Sequence, residues 1–147
     1  MKVEHLRSPH DLVGGLVYFG RMLDKIRLHA QGKLPADYVE NLGTAFDGRC
    51  CSFLKIDYAA LVARVKQGDK DKDEAILDWA FKNGRKPSDE EIEIWNEFMR
   101  KRGWNDAASP RLKSRKAELR ASDRDDIQTF FDFIDLDEER PLRAPAV

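Results

Sequence analysis

Apolar positions recur along this chain with the period of a helix rather than that of a strand. Beyond Ser8-Pro9, the residues Leu12, Leu16, Phe19, Leu23, Ile26 and Ala30 follow one another at spacings of three and four, which places them on one helical face. Ser8 as N-cap with proline at the first helical position predicts where this helix opens, and Gly32 and Pro35 predict where it ends. Gly14-Gly15, inside the run, predicts a break or restart. A short turn is expected around Tyr38.

The same punctuation continues to the C-terminus. Asp47 is expected to cap a short helix carrying Cys50, Phe53 and Leu54. Asp57 caps the next, with Tyr58, Leu61, Val62 and Val65 on one side and Gly68 as its stop. Asp71 or Asp73 opens a helix bearing Ile76, Leu77, Trp79 and Ala80, closed by Asn83-Gly84. Ser88 and Glu91 form a capping box ahead of Ile92, Trp95, Phe98 and Met99, and Gly103 ends that helix. Ser109-Pro110 repeats the opening device, although the helix it starts has only Leu112 and Leu119 as clear apolar contacts. The last helix, roughly 124–136, is expected to bury Ile127, Phe130, Phe131 and Ile134. No segment alternates with a period of two for long enough to require a sheet. The pattern therefore predicts an all-α fold, a single compact bundle of about seven short-to-medium helices. Residues 1–140 form one domain, and 141–147, marked by Pro141 and Pro145, form a frayed tail.

Composition agrees with this picture and narrows it. A chain of 147 residues, 41% hydrophobic and 36% charged, can bury a core without metal or disulfide staples. The formal net charge of −1 supplies no global field toward nucleic acid or membrane. No stretch approaches the ~20 apolar residues of a membrane span, and the first seven residues reach Ser8-Pro9 without an apolar signal region. A cytoplasmic location is expected. The only cysteines, Cys50 and Cys51, are adjacent, which predicts two free thiols with at least one in the core.

Several stretches are similar to a bacterial family. Arg7-Ser8-Pro9, Gly14-Gly15, the RMLDKIR run at 21–27 and IDYAAL at 56–61 occur in this order, followed by WNEFM at 95–99 and DIQTFFDFIDLD at 126–137. Together they resemble the domain of unknown function 5069 family over nearly the whole chain, and the RMLDK element is the most specific piece. The resemblance implies a stand-alone small bacterial domain and carries over no catalytic residue.

Two motif imitations fail on their chemistry. The run from Gly15 to Arg21 has the glycine spacing of a phosphate-binding P-loop. Arginine and Met22 stand where that loop needs lysine and a magnesium-holding hydroxyl, and the residues between continue an apolar stripe. The acidic run at 69–73 opens like a calcium loop, but Glu74 and Ala80 occupy the places of its glycine and its bidentate acid. His5, His10 and His29 do not pair at metal-ligand spacing, so no metal and no cofactor is expected. Trp79 and Trp95 lie on apolar stripes and read as core, while Trp104 follows a helix stop.

Charge is patterned more tellingly than it is summed. Residues 100–124 carry nine Lys/Arg and three Asp/Glu, and 125–139 carry seven acids and no base. An acidic neighbour of nearly equal charge cancels a basic helix's field within a Debye length, so no nucleic-acid binding is expected. The remaining candidate is an anion-binding cluster of Arg21, Asp24, Lys25 and Arg27, with Tyr18, Tyr38 and Tyr58 as hydroxyl donors. Arg21 and Lys25 crowd two positive charges onto one face unless an anion or another carboxylate shares it, and Asp24 can pair with either arginine. The competing view is a surface salt-bridge ladder. The expected function is a binding or interaction module for a protein partner or an anionic small molecule. The alternative is a metal-independent enzyme with Asp24 as acid/base and Arg21 and Lys25 holding an anionic substrate.

Overall fold

The two glycines of the first apolar run do more than interrupt a helix. In the computed structural model, which describes residues 1–68 and 72–143, they turn a minimal antiparallel hairpin between β1 (Leu12–Val13) and β2 (Leu16–Val17). Gly14 and Gly15 both adopt positive φ, 56° and 81°, a region that glycine enters without steric cost. At Gly14 a Cβ would also stand 2.4 Å from Leu77 Cδ2, so this turn lies directly against a neighbouring helix. The expectation of a helix opening at Ser8-Pro9 is thereby corrected. Ser8 Oγ accepts from the His10 backbone N–H at 3.2 Å and forms a local turn, and α1 (Phe19–Ala30) starts ten residues later. A two-residue ladder was invisible to periodicity because alternation over so short a run carries no signal.

The remaining described residues form α2 (Ala36–Val39), α3 (Ala45–Leu54), α4 (Tyr58–Gln67), α5 (Asp73–Asn83), α6 (Asp89–Lys101), α7 (Ser109–Glu118) and α8 (Phe130–Asp137). The fold is a mostly helical bundle, as the pattern predicts. Asp57 caps α4 by accepting from Ala60 N–H, and Ser88 and Glu91 form the complete capping box of α6. Three expectations shift. α3 opens at Thr44, and Asp47, read as a cap, is a fully buried residue of its first turn. α5 follows Lys72, and Asp71, like most of the acidic run at 69–73, lies outside the described residues. α8 begins at Phe130, because Thr129 Oγ1 accepts from Asp132 N–H at 3.1 Å and ends the irregular stretch before it.

α1 is the axis of the bundle. Phe19, Met22, Leu23 and Ile26 are buried on it, against Leu54 of α3, Leu61 and Val65 of α4, Ile76 and Ala80 of α5, and Trp95 and Met99 of α6. Phe53 stacks on Trp95 with centroids 4.6 Å apart. Trp79 packs half-buried against the same core, whereas Trp104 is exposed. Cys50 and Cys51 are both free and buried; burial pushes the Cys51 thiol up to about 12 and raises Cys50 well above the usual range, so neither is a reactive thiolate. A second, smaller cluster of Leu112, Ile127 and Phe133 joins α7 to α8. Leu142 packs on it and Arg143 pairs with Asp11 at 2.6 Å, so the frayed tail does not begin at 141; residues 144–147, with Pro145, lie outside the described residues.

Candidate functional site

Because α1 is packed on most sides, three of its charged residues are buried, and burial dictates what each must do. Arg21, Asp24 and Lys25 are 4%, 9% and 6% exposed. An ionised group so placed requires a partner, since desolvation alone costs several kcal/mol per ion. At about 100° per residue, Arg21 and Lys25 lie about 40° apart, while Asp24 and Arg27 lie about 60° and 120° round the other way. The helix thus sends these four residues into two separate networks.

On one side, Asp24 receives the Arg7 Nε at 2.9 Å and Nη2 at 3.0 Å, together with the Arg7 backbone N–H at 2.9 Å. Arg7 Nη1 also reaches Asp73 at 2.7 Å, and Asp73 takes Arg27 Nη2 at 2.8 Å. Gly20 makes room for this, since a Cβ there would stand 2.9 Å from the Arg7 guanidinium. Burial would raise the Asp73 carboxyl, but the bonds from Arg7 and Arg27 outweigh it and hold it below its ordinary value. This closed ring of two arginines and two aspartates fastens the N-terminal arm and α5 to α1.

On the other side, the crowding of Arg21 and Lys25 is relieved by two different carboxylates. Arg21 donates to both oxygens of Glu138, at 2.8 and 2.7 Å, and to the Arg7 carbonyl at 3.1 Å. Lys25 Nζ stands 2.7 Å from Asp47 Oδ1 and 3.0 Å from the Tyr18 hydroxyl, which itself donates to Asp47 at 2.6 Å. Tyr38 donates to Glu138 at 2.8 Å. Burial, and then Asp47, raises the Tyr18 hydroxyl far above its usual range, while burial lowers Lys25 against the opposing pull of Asp47. Glu138 would be raised by burial, but Arg21, Arg140 and Tyr38 hold it below the ordinary carboxylate value. Tyr18 occupies this junction at φ 74°, a left-handed conformation rare outside glycine, held by its ring contacts with Phe46 and Phe131.

Tyr18, Arg21, Lys25, Tyr38 and Glu138 form the floor of a cavity of about 340 Å³, with Asp47 buried behind it. Phe46, Phe130, Phe133 and Ile134 line its walls, and Arg49, Arg102, Arg111 and Arg115 surround it from α3, the end of α6 and α7. Phe130 and Ile134, expected in the core, are half-buried and face this space, while Phe131 and Phe133 take the buried positions. Of the seven residues expected to form an anion site, Tyr18, Arg21, Lys25 and Tyr38 line the cavity. Asp24 and Arg27 belong to the separate ring with Arg7, and Tyr58 packs against Gly43 outside the lining.

Sequence reasoning missed Asp47, Glu138, Arg49 and Arg102 as parts of the site. One signal was available for α7: Arg111 and Arg115 share a face at a spacing of four on a helix with little apolar content. Among the described residues, no group of histidines, cysteines and carboxylates could hold a metal ion.

Residues 3–140 match the domain of unknown function 5069 family. The chain belongs to this family. No curated protein matches it. The matched span includes every residue of the floor, from Tyr18 to Glu138, and the four arginines.

Proposed function

We propose that this member of the domain of unknown function 5069 family is a binding domain for an anionic small molecule, held in the cavity between α1, α3, α7 and α8. The observation that carries this reading is the charge of the lining: six arginine or lysine side chains against the carboxylates of Asp37, Asp137 and Glu138. Among the described residues, Arg49 and Arg111 have no carboxylate partner. A cavity of about 340 Å³ falls at the small end of metabolite pockets. The concave arrangement of the arginines supports a small ligand over a nucleic-acid strand, which needs an extended basic track. We read the protein as cytoplasmic: two free buried thiols suit a reducing compartment, and no described helix is long and apolar enough to cross a membrane.

Native mass spectrometry of freshly purified protein tests the reading, with thermal shifts in phosphates and carboxylates following on wild type and Arg49→Ala. A ligand at a hundred times its Kd stabilises the fold by about 2.7 kcal/mol. An anion-dependent shift that is lost in Arg49→Ala is the expected result. Shifts that are absent, or unchanged in the variant, would refute the proposal.

A further inference from the structure

We infer that the ligand is an organic phosphate monoester with a planar apolar body, its phosphate seated on the arginine rim and its body against the aromatic wall, away from Arg21 and Lys25. This rests on the binding reading above and specifies it.

The floor cannot be the seat of the anion, because its charges already cancel. Arg21 is engaged by both oxygens of Glu138, and Lys25 by Asp47, with the hydroxyls of Tyr18 and Tyr38 spent on the same carboxylates. A ligand anion entering there would have to displace a carboxylate that is almost wholly buried and leave it uncompensated. The floor is a neutral base with polar character, suited to a carbonyl or hydroxyl of the ligand.

The rim is different. Arg49 and Arg111 are exposed and make no ion pair among the described residues. Arg115 lies over the Phe133 ring and, among the described residues, pairs with no carboxylate but the exposed Glu118 at 3.8 Å. Arg102 meets Asp106 at 3.5 Å, but the oxygens of Asp106 already accept from the backbone N–H groups of Gly103 and Ala108 at 2.9 Å. Four guanidiniums around one mouth exceed what a single carboxylate can use. They match a group of charge about −2 with three acceptor oxygens, and the planar guanidinium fork pairs with phosphate two bonds at a time.

The walls supply the second half of the ligand. Phe46 meets Phe130 edge to face at 6.2 Å, and Phe130 and Ile134 keep apolar surface open to the cavity. Both stand where the sequence pattern called for core, yet among the described residues no element covers them on this side. A flat apolar body of one or two rings would cover that surface.

The test is isothermal titration of the full chain with 1-naphthyl phosphate, 1-naphthoate, 1-naphthol and inorganic phosphate. The variants are Arg111→Gln, Arg49→Gln and Phe130→Leu. Both arginines are exposed, and a circular-dichroism melt confirms that their variants fold. Naphthyl phosphate should bind at least tenfold tighter than each of the other three probes. Arg111→Gln or Arg49→Gln should weaken it about tenfold and flatten its salt dependence, whereas Phe130→Leu should weaken naphthyl phosphate and leave inorganic phosphate unchanged. Equal affinity for naphthoate or inorganic phosphate overturns this inference while leaving the binding reading intact, whereas indifference to both arginine variants overturns both. Failure of every anion to bind overturns both.

Discussion

Arg21 and Glu138 stand 117 residues apart in the chain and meet through two hydrogen bonds, 2.8 and 2.7 Å long, with both side chains almost fully buried. The pair ties the central helix α1 to the C-terminal end of α8. Arg140 strengthens the tie: it donates to Glu138 at 2.6 Å and to the Leu6 carbonyl, so both chain ends converge on one carboxylate.

Removing one partner of such a pair leaves a charge buried and uncompensated. Glu138→Ala should therefore cost about 3–5 kcal/mol in urea unfolding, whereas the apolar double replacement Arg21→Met with Glu138→Leu should recover most of that loss. A single variant within about 1 kcal/mol of wild type would show that the pair does not hold the helices together.

The same carboxylate sets an acid limit. Its folded pKa lies below the ordinary 4.5, so the unfolded chain binds the proton first as pH falls. The contribution is complete above about 4.5 and is lost as pH drops through the folded value. Stability measured from pH 6 to pH 3 should fall more steeply in wild type than in Glu138→Gln.

His10 predicts a second pH dependence nearer neutrality. Its Nε2 is buried without a hydrogen-bond partner among the described residues, 3.9 Å from Asp135, and the ring packs edge-on against Phe131. Burial lowers its pKa below 6.5 despite the opposing pull of Asp135, with Arg143 and Arg100 adding to the lowering. The unfolded state then binds a proton first, so stability present above pH 6.5 declines as pH falls through that value. Melting temperatures at pH 7.5 and 5.5 should differ less in His10→Gln than in wild type. An equal or larger difference in the variant would contradict the neutral buried ring.

The tyrosines of the expected site should separate cleanly. Tyr18→Phe removes a hydroxyl that Asp47 and Lys25 both use and should cost about 1–3 kcal/mol by leaving them under-satisfied. Tyr58, whose hydroxyl has no hydrogen bond among the described residues, should tolerate the same change within about 0.5 kcal/mol. Paired thermal melts decide it, and equal losses would put Tyr58 in the network as well.

Neighbouring phenylalanines make the sharpest packing contrast. Phe131 is fully buried in the main core, and truncation to alanine should cost about 3–5 kcal/mol. Phe130→Ala should cost less, because one side of that ring already faces the cavity. A reversed order would mean that the phase of α8 is wrong.

Local chemistry was enough for much of this protein. The caps at Asp57 and Ser88, the stops at Gly68 and Gly84, and the apolar stripes of α1, α4, α5 and α6 follow from residues within a turn or two of one another. That is the range over which a side chain can satisfy a helix end or share its face. The cluster at 21–27 was visible for the same reason, as charges set three and four apart on a helix. Tertiary structure alone decided that this helix would be packed on most of its sides. Once it was, each of its charges needed a partner, and those partners came from wherever the fold delivered a carboxylate or guanidinium: Arg7 and Asp73 on one side, Asp47 and Glu138 on the other. Spacing along one helix cannot specify a contact across 117 residues, because such a pairing is chosen by packing of the whole bundle. The same packing left Phe130 and Ile134 uncovered beside four arginines, and so turned two residues of a core stripe into the wall of a cavity.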